Sequence, residues 1–184
     1  MMTNMEMIVL VDERGREIGT APKLASHHAH TPLHRAFSCY VFDETGRFLV
    51  TQRAASKKVW PGVWTNSVCG HPAPGEGFED AIRRRAEYEL GLAVSDIRVM
   101  LPDYRYMTPP FNGIIENEIC PVFVARTDGQ PAPNPEEVGD YAWLRWDEYG
   151  AAVAGADYSY WARDQYDQLM ASSEFTAFLR SIER

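Results

Sequence analysis

Apolar and polar positions that alternate with period two, or runs rich in β-forming residues, mark seven short segments, at 7 to 11, 37 to 42, 47 to 52, 64 to 69, 97 to 106, 114 to 125 and 138 to 144. Such segments predict strands. A 3.6-residue period at about 78 to 90, 147 to 153 and 160 to 182 predicts helices. DETG at 43 to 46 and PPFNG at 109 to 113 read as hairpin turns. Strands joined by hairpins outnumber helices, so the expected class is α+β, a mixed sheet flanked by helices in one domain, rather than doubly wound α/β. No repeat, low-complexity tract or interdomain linker interrupts the chain, and PAPNPEE at 131 to 137 is short enough to be a loop.

The helix at 78 to 90 contains an anomaly. At 100° per residue, Phe78, Ala81, Ile82, Ala86, Tyr88 and Leu90 share one broad arc, while Asp80, Arg83, Arg84 and Glu87 share the opposite one. Glu79 falls at the margin, but Arg85 and Glu89 fall in the middle of the apolar arc. Charges are rarely buried without a partner. The two therefore face each other, a metal or a ligand. One reading is an i,i+4 ion pair in the weaker Arg-then-Glu order; the other puts Arg85 on a phosphate oxygen and Glu89 on a divalent ion.

The chain's 184 residues, 45% hydrophobic and 12% aromatic, suit one globular domain with a sizeable core. A net charge of -8 argues against nucleic acid or an anionic membrane as partner. A small anion remains open, because RAASKK at 53 to 58, Arg83 to Arg85 and Lys23 form basic islands. No apolar run approaches the roughly 18 residues that span a bilayer, and MMTNMEMIVLVDERG lacks the basic start and cleavage site of a secretory signal. The expected location is the cytoplasm, where three cysteines predict no disulfide framework. Cys39 and Cys120 read as small core residues. Cys69 differs, because it precedes Gly70 and the candidate ligand His71.

Candidate metal ligands form a second set. In IIENEIC at 114 to 120, period-two alternation puts Glu116 and Glu118 on one strand face, roughly 6.6 Å apart. His27 and His34 lie upstream and His71 between; imidazoles with carboxylates suit Mn, Zn, Fe or Mg, with Mg least favoured by nitrogen. His28 and His30 crowd the same segment, so spacing does not say which imidazoles bind.

The run GHPAPGEGFEDAIRRRAEYELGL at 70 to 92 resembles the Nudix box, a diphosphate-handling loop and helix of pattern G-x5-E-x7-R-E-U-x-E-E-x-G-U. Glycines allow close approach, the helix start favours anions and carboxylates hold a metal. Arg85 and Tyr88 stand where that box has glutamates, which argues for diphosphate binding without cleavage.

With WPGVWTNSVCGHP at 60 to 72, PDYRY at 102 to 106 and ENEICP at 116 to 121, the chain resembles the type I isopentenyl diphosphate isomerases from about Lys23 to Trp161. The resemblance implies a single Nudix-like domain over 1 to 184, with its core at about 32 to 165. It implies the 1,3-allylic isomerisation of isopentenyl to dimethylallyl diphosphate. His27, His34, His71, Glu116 and Glu118 match the ligands of a buried Mn, Zn or Mg ion. Glu89 matches the residue holding a Mg ion on the diphosphate, and Lys23, Arg53, Lys57 and Arg85 match the basic clamp. Cys69 and Glu118 match the acid/base pair, with Tyr106 beside Glu118 and Trp161 as an aromatic wall. The expected partner is that small diphosphate alone, and the chain a monomer or weak homodimer. The competing readings are a Nudix diphosphohydrolase and a non-catalytic metal- or nucleotide-binding module.

Overall fold

The computed structural model describes residues 6–182. The outermost residues of the expected 1–184 domain, and the start of the segment read for a secretory signal, lie outside the described residues. In chain order the elements are β1 (Met7–Val11), β2 (Glu17–Pro22), α1 (Lys23–Ser26), β3 (His34–Arg35), β4 (Phe37–Phe42), β5 (Phe48–Arg53), β6 (Trp64–Thr65), β7 (Val68–Gly70), α2 (Phe78–Leu90), β8 (Ser95–Leu101), β9 (Arg105–Met107), β10 (Asn117–Ile119), β11 (Val122–Arg126), β12 (Val138–Leu144), α3 (Trp146–Val153), α4 (Tyr160–Ala171) and α5 (Ser173–Ile182).

Every residue of β4 is buried, because it is the middle strand of a sheet covered on both faces. Phe37, Cys39 and Val41 point to α2, where they meet Ala81, Ile82, Ala86 and Leu90. Tyr40 and Phe42 point the other way, into a core built with Phe48, Trp146, Tyr149, Leu169 and Phe175 from β5 and α3 to α5. This sheet runs β12-β5-β4-β11-β8, with β6 added on β5 and β7 on β4, and a second sheet runs β2-β1-β3-β10-β9. The β4–β11 and β3–β10 pairs are parallel within otherwise antiparallel sheets. The expected α+β class, mixed sheet and flanking helices is what forms.

Two expected strands, at 97 to 106 and 114 to 125, divide into β8 and β9 and into β10 and β11, whereas the expected strand at 37 to 42 forms whole as β4, with the unforeseen β3 before it across Ala36. In each case one piece belongs to each sheet. At these crossings the segments still pair: Ala36 N donates to Ile119 O at 2.9 Å, Cys120 N to Tyr104 O at 2.9 Å and Ser38 N to Pro121 O at 3.2 Å. Pro121 has no N–H to give, which favours a crossing at that residue.

The expected strand at 64 to 69 also divides. β4 and β5 pair at Phe42 and Phe48, and β6 and β7 then pair with β5 and β4 respectively. Ser67 bridges the two, its hydroxyl oxygen accepting from Val41 N at 2.8 Å and its proton going to Leu49 O. The expected helix at 160 to 182 breaks at Ser172, whose extended backbone ends α4 and whose hydroxyl accepts Phe175 N at 3.2 Å. Asn112 and Gly113 adopt positive φ, 49° and 76°, between the paired Phe111 and Ile114, so the expected PPFNG turn closes with the Asn-Gly chemistry of a tight hairpin. β2, α1 and β3 were not legible as elements; β3 has only two residues and α1 only four.

Tyr88 corrects the helical reading. It was placed in the apolar arc of α2, yet it is 51% exposed. The buried stripe centres on Ala81, Ile82, Ala86 and Leu90; Tyr88 lies off it and holds its ring 5.2 Å from the Arg85 guanidinium.

Candidate active site

One cavity of about 420 Å³ is lined by residues from both sheets and α2. Cys69 enters it from β7, opposite Ser38 of β4 in the strand register. Its neighbours fix the thiol. Asn66, fully buried, donates from Nδ2 to Cys39 O at 3.2 Å and Val68 O at 3.1 Å, which leaves its Oδ1 to accept the Cys69 thiol at 2.9 Å. Ser38 Oγ lies 3.5 Å from Cys69 Sγ and accepts Gln165 Nε2 at 2.9 Å. Burial pushes the Cys69 thiol up to about 11, and the Ser38 hydroxyl pulls it back. Cys39 and Cys120 are buried in the core, as expected.

The second wall comes from the five-stranded sheet. Leu10, His34, Glu118 and Tyr106 occupy one row across β1, β3, β10 and β9. Ligand atoms of His27, His34, His71 and Glu118 all lie within 4.8 Å of one another. His34 Nε2 is 3.1 Å from His71 Nε2 and 3.4 Å from Glu118 Oε1, and His71 Nε2 is 3.1 Å from that same oxygen. Glu116 Oε2 completes the group, 3.2 Å from His27 Nε2.

These residues fit a divalent cation. Nδ1 of His27 and of His34 meets the carbonyls of Lys23 at 2.6 Å and Pro32 at 2.9 Å, and an N–H there leaves each Nε2 as a bare lone pair. Lone pairs and carboxylate oxygens packed so closely need a proton or a metal among them. Glu116 Oε2, apart from the His27 Nε2 contact, is buried with no hydrogen-bond partner among the described residues, as a ligand oxygen would be. Burial would raise Glu118, but the imidazoles of His34 and His71 beside it outweigh that and hold the carboxyl well below its usual range. Burial carries His71 down to about 4. His27 is raised, its burial outweighed by Glu116. His28 and His30 stay out of the cluster; His28 Nδ1 accepts the His30 N–H at 3.0 Å in a turn. Tyr106 is pushed far up by burial and by the charge of Glu118 beside it.

Basic residues line the rest. Arg85 Nε donates to Glu89 Oε1 at 2.8 Å, so the i,i+4 pair forms, and it does so inside the cavity. Burial raises the Glu89 carboxyl against the pull of Arg85. Lys23, Arg53 and Lys57 also line the cavity. Arg53 donates to Val59 O at 3.0 Å and Trp60 O at 3.1 Å, fixing the loop that carries Trp60. Trp60 itself has φ 46°, a left-handed conformation costly for a bulky side chain. Its ring meets Trp161 at 5.6 Å, and Trp161 lies 6.2 Å from Tyr106, so an aromatic wall faces the thiol and the carboxylates. Trp161 is anchored by Nε1 donating to Thr65 Oγ1 at 2.8 Å. Of the triplet Arg83 to Arg85, only Arg85 reaches the cavity; Arg83 and Arg84 pair with Glu79 and Glu76 at the surface.

Twelve of the thirteen positions proposed from the sequence line this cavity, and the thirteenth, His34, adjoins it through His71 and Glu118. Contributors not foreseen there include Asn66, Ser38, Trp60, Glu6 and Glu137. Glu6 pairs with Lys23 at 3.0 Å, and Glu137 pairs with both Lys57 and Arg85. An excess of buried cations was the signal that such acids had to exist.

A NUDIX domain model matches residues 32–165. The chain is 51% identical to the isopentenyl-diphosphate Delta-isomerase of Mycolicibacterium vanbaalenii over 91% of its own length and 93% of the relative's. It is 53% identical to the one of Saccharopolyspora erythraea over 90% and 87%, and 48% identical to that of Frankia alni over 95% and 92%. This chain belongs to the isopentenyl-diphosphate Delta-isomerase family of Nudix proteins. The fold of the isomerase chain is shared with the DR0079 protein of Deinococcus radiodurans, at TM-score 0.65 and 22% identity over 97% of this chain and 100% of that one. A MutT NUDIX hydrolase of Burkholderia pseudomallei aligns at TM-score 0.58 and 21% identity over 74% and 97%. Among the described residues of the isomerase chain, no helix is long and apolar enough to cross a membrane.

Proposed function

We propose that this isomerase interconverts isopentenyl and dimethylallyl diphosphate in the cavity between Cys69 and Glu118. The observation that carries the reading is the meeting of a protonated thiol from one sheet and an ionised carboxylate from the other in one cavity. A 1,3-allylic shift needs that combination. One of the two groups gives a proton to the terminal carbon, the other takes one from carbon 2, and no net proton is consumed.

Protonation of the double bond leaves a tertiary carbocation at carbon 3. Trp161 offers its π face to that cation, and Trp60 and Tyr106 keep water from it. Tyr106, kept protonated, gives a hydroxyl beside Glu118. His27, His34, His71, Glu116 and Glu118 would hold one divalent ion, Mn, Zn or Mg, and Glu89 a Mg ion on the diphosphate. When bound, these ions supply positive charge beside Glu118 and on the phosphate oxygens. Lys23, Arg53, Lys57 and Arg85 anchor the diphosphate, which fixes the five-carbon unit against the two proton-exchanging groups. Arg85 and Tyr88 replace two acids of the hydrolytic box, which speaks against diphosphate cleavage. A cytoplasmic location, a monomer or weak homodimer and a partner list restricted to the small diphosphate belong to the same reading.

Incubation with isopentenyl diphosphate and Mg in deuterated water, followed by NMR, tests it. Allylic product carrying deuterium is expected; release of phosphate or nucleoside monophosphate from diphosphate substrates instead would make the chain a hydrolase.

A further inference from the structure

The cations that would hold a diphosphate already have anions. Lys23 sits on Glu6 at 3.0 Å, Arg85 on Glu89, and one oxygen of Glu137 bridges Lys57 and Arg85, the latter at 3.2 Å. Glu137 is not a loose surface acid. Its side chain is only 16% exposed, its N–H donates to Asn134 O at 3.0 Å and its carbonyl accepts Ala54 N at 3.0 Å. The preceding proline-rich loop is fastened to the end of α2 by Ala132 N on Leu90 O at 2.7 Å and Asn134 N on Glu89 O at 2.9 Å. These bonds hold the carboxylate's backbone against α2 and the end of β5.

Phosphate oxygens that reach Lys57 and Arg85 must approach Glu137 and Glu89. Close like charges repel more strongly in a partly desolvated site, where the effective dielectric is about 20, than in bulk water. A divalent cation carried by the diphosphate removes that repulsion, and a bare diphosphate does not. We infer that Glu137 is a specificity-determining residue, a fixed counter-charge that makes the clamp accept metal-complexed diphosphate and reject the bare anion. The inference rests on the diphosphate reading above and extends it to the form of the ligand. Glu137 also keeps Lys57 and Arg85 extended into the cavity before ligand arrives, so the clamp is organised without being open to any anion.

Titration calorimetry with inorganic diphosphate, with and without Mg, tests this without turnover. Wild type should bind the Mg complex at least about tenfold more tightly than the bare anion. Glu137→Gln should bind the bare anion about tenfold more tightly than wild type and close most of the gap. Glu137→Asp, which keeps the charge, should keep the gap, whereas a merely structural acid would make the Asp and Gln variants alike. Unchanged or weaker binding of bare diphosphate by Glu137→Gln overturns the inference, as does loss of the gap in Glu137→Asp. Should Glu137→Gln fail to fold, Glu137→Ala is read by the same measure. If wild type binds neither form, it is the diphosphate reading that fails.

Discussion

The stretch around Cys69, carried by the seven-stranded sheet, and the stretch around Glu118, carried by the five-stranded one, line the same cavity with opposite chemistry. Around Cys69 the partners are neutral: an amide oxygen, a serine hydroxyl and, behind them, Gln165. Around Glu118 they are imidazoles whose nitrogens crowd a common centre. Burial acts on both groups, yet the thiol keeps its proton and the carboxylate loses its own. Burial alone thus does not set the protonation state; the polarity of the neighbours does. A reaction that moves one proton in and one out benefits from a site holding its two groups in opposite states.

The sharpest way to break this comparison is to remove each group. Cys69→Ala, Cys69→Ser and Glu118→Gln should each lower kcat by at least about 10²-fold, the worth of a positioned proton-transfer group. The two walls should then separate by elemental analysis. Cys69→Ala should retain about one divalent ion per chain in the His/Glu centre, while Glu118→Gln should lose it. Metal retained by both variants, or undiminished turnover in Cys69→Ala, would end the assignment of opposite roles.

A smaller effect is expected outside both walls, at the pair inside α2. Arg85→Ala should weaken diphosphate binding by about tenfold, because a charge-assisted bond is lost. Glu89→Gln should mainly raise the Mg concentration needed for half-maximal rate. Wild-type kinetics in both variants would return the pair to a purely structural role.

The smallest effect sharpens the comparison by pH. Folded His71 titrates at about 4 and unfolded histidine near 6.5. Between those values the unfolded chain binds more protons, so stability falls as pH drops through that window. Glu118, held low, adds a loss below about 4.5. His27, which is raised, opposes part of this, because its contribution is present below 6.5 and lost as pH rises through its folded value. Melting temperatures of chelator-treated protein should fall by a few degrees between pH 7 and pH 5, as expected for roughly 1 kcal/mol in a chain of this size. His71→Asn should flatten the slope, and Cys69→Ala should leave it. A slope carried equally by both variants would show that the two walls are not electrically distinct.

Much of this site was legible because it is written in short strings. Glu116 and Glu118 alternate on one strand face, Arg85 and Glu89 sit one turn apart on α2, and Cys69 and His71 flank Gly70. Such local spacings survive folding. Asn66, Ser38, Glu6 and Glu137 were not legible as site residues, since each acts through a contact with a distant part of the chain. Glu137 meets Lys57 and Ser38 meets Gln165 only once the sheet is assembled. The split strands failed for the same reason. The segments read at 97 to 106 and 114 to 125 continue through the crossings, and nothing local reports that the chain changes sheets there.

By itself the sequence determined the class of fold and the altered phosphate helix, because periodicity and motif spacing are properties of neighbouring residues, and its resemblance to a family singled out the candidate thiol, imidazoles and carboxylates. The tertiary structure decided what those groups are to one another. The divergence of β4 and β5 seats Asn66 and Ser67 between them, the crossing of three segments between sheets aligns Tyr106, Glu118 and His34 in one row, and the packing of the 131 to 137 loop on α2 sets Glu137 against the clamp. Protonation states and ion pairs depend on distance and burial in space, and these exist only after the long-range pairing is complete.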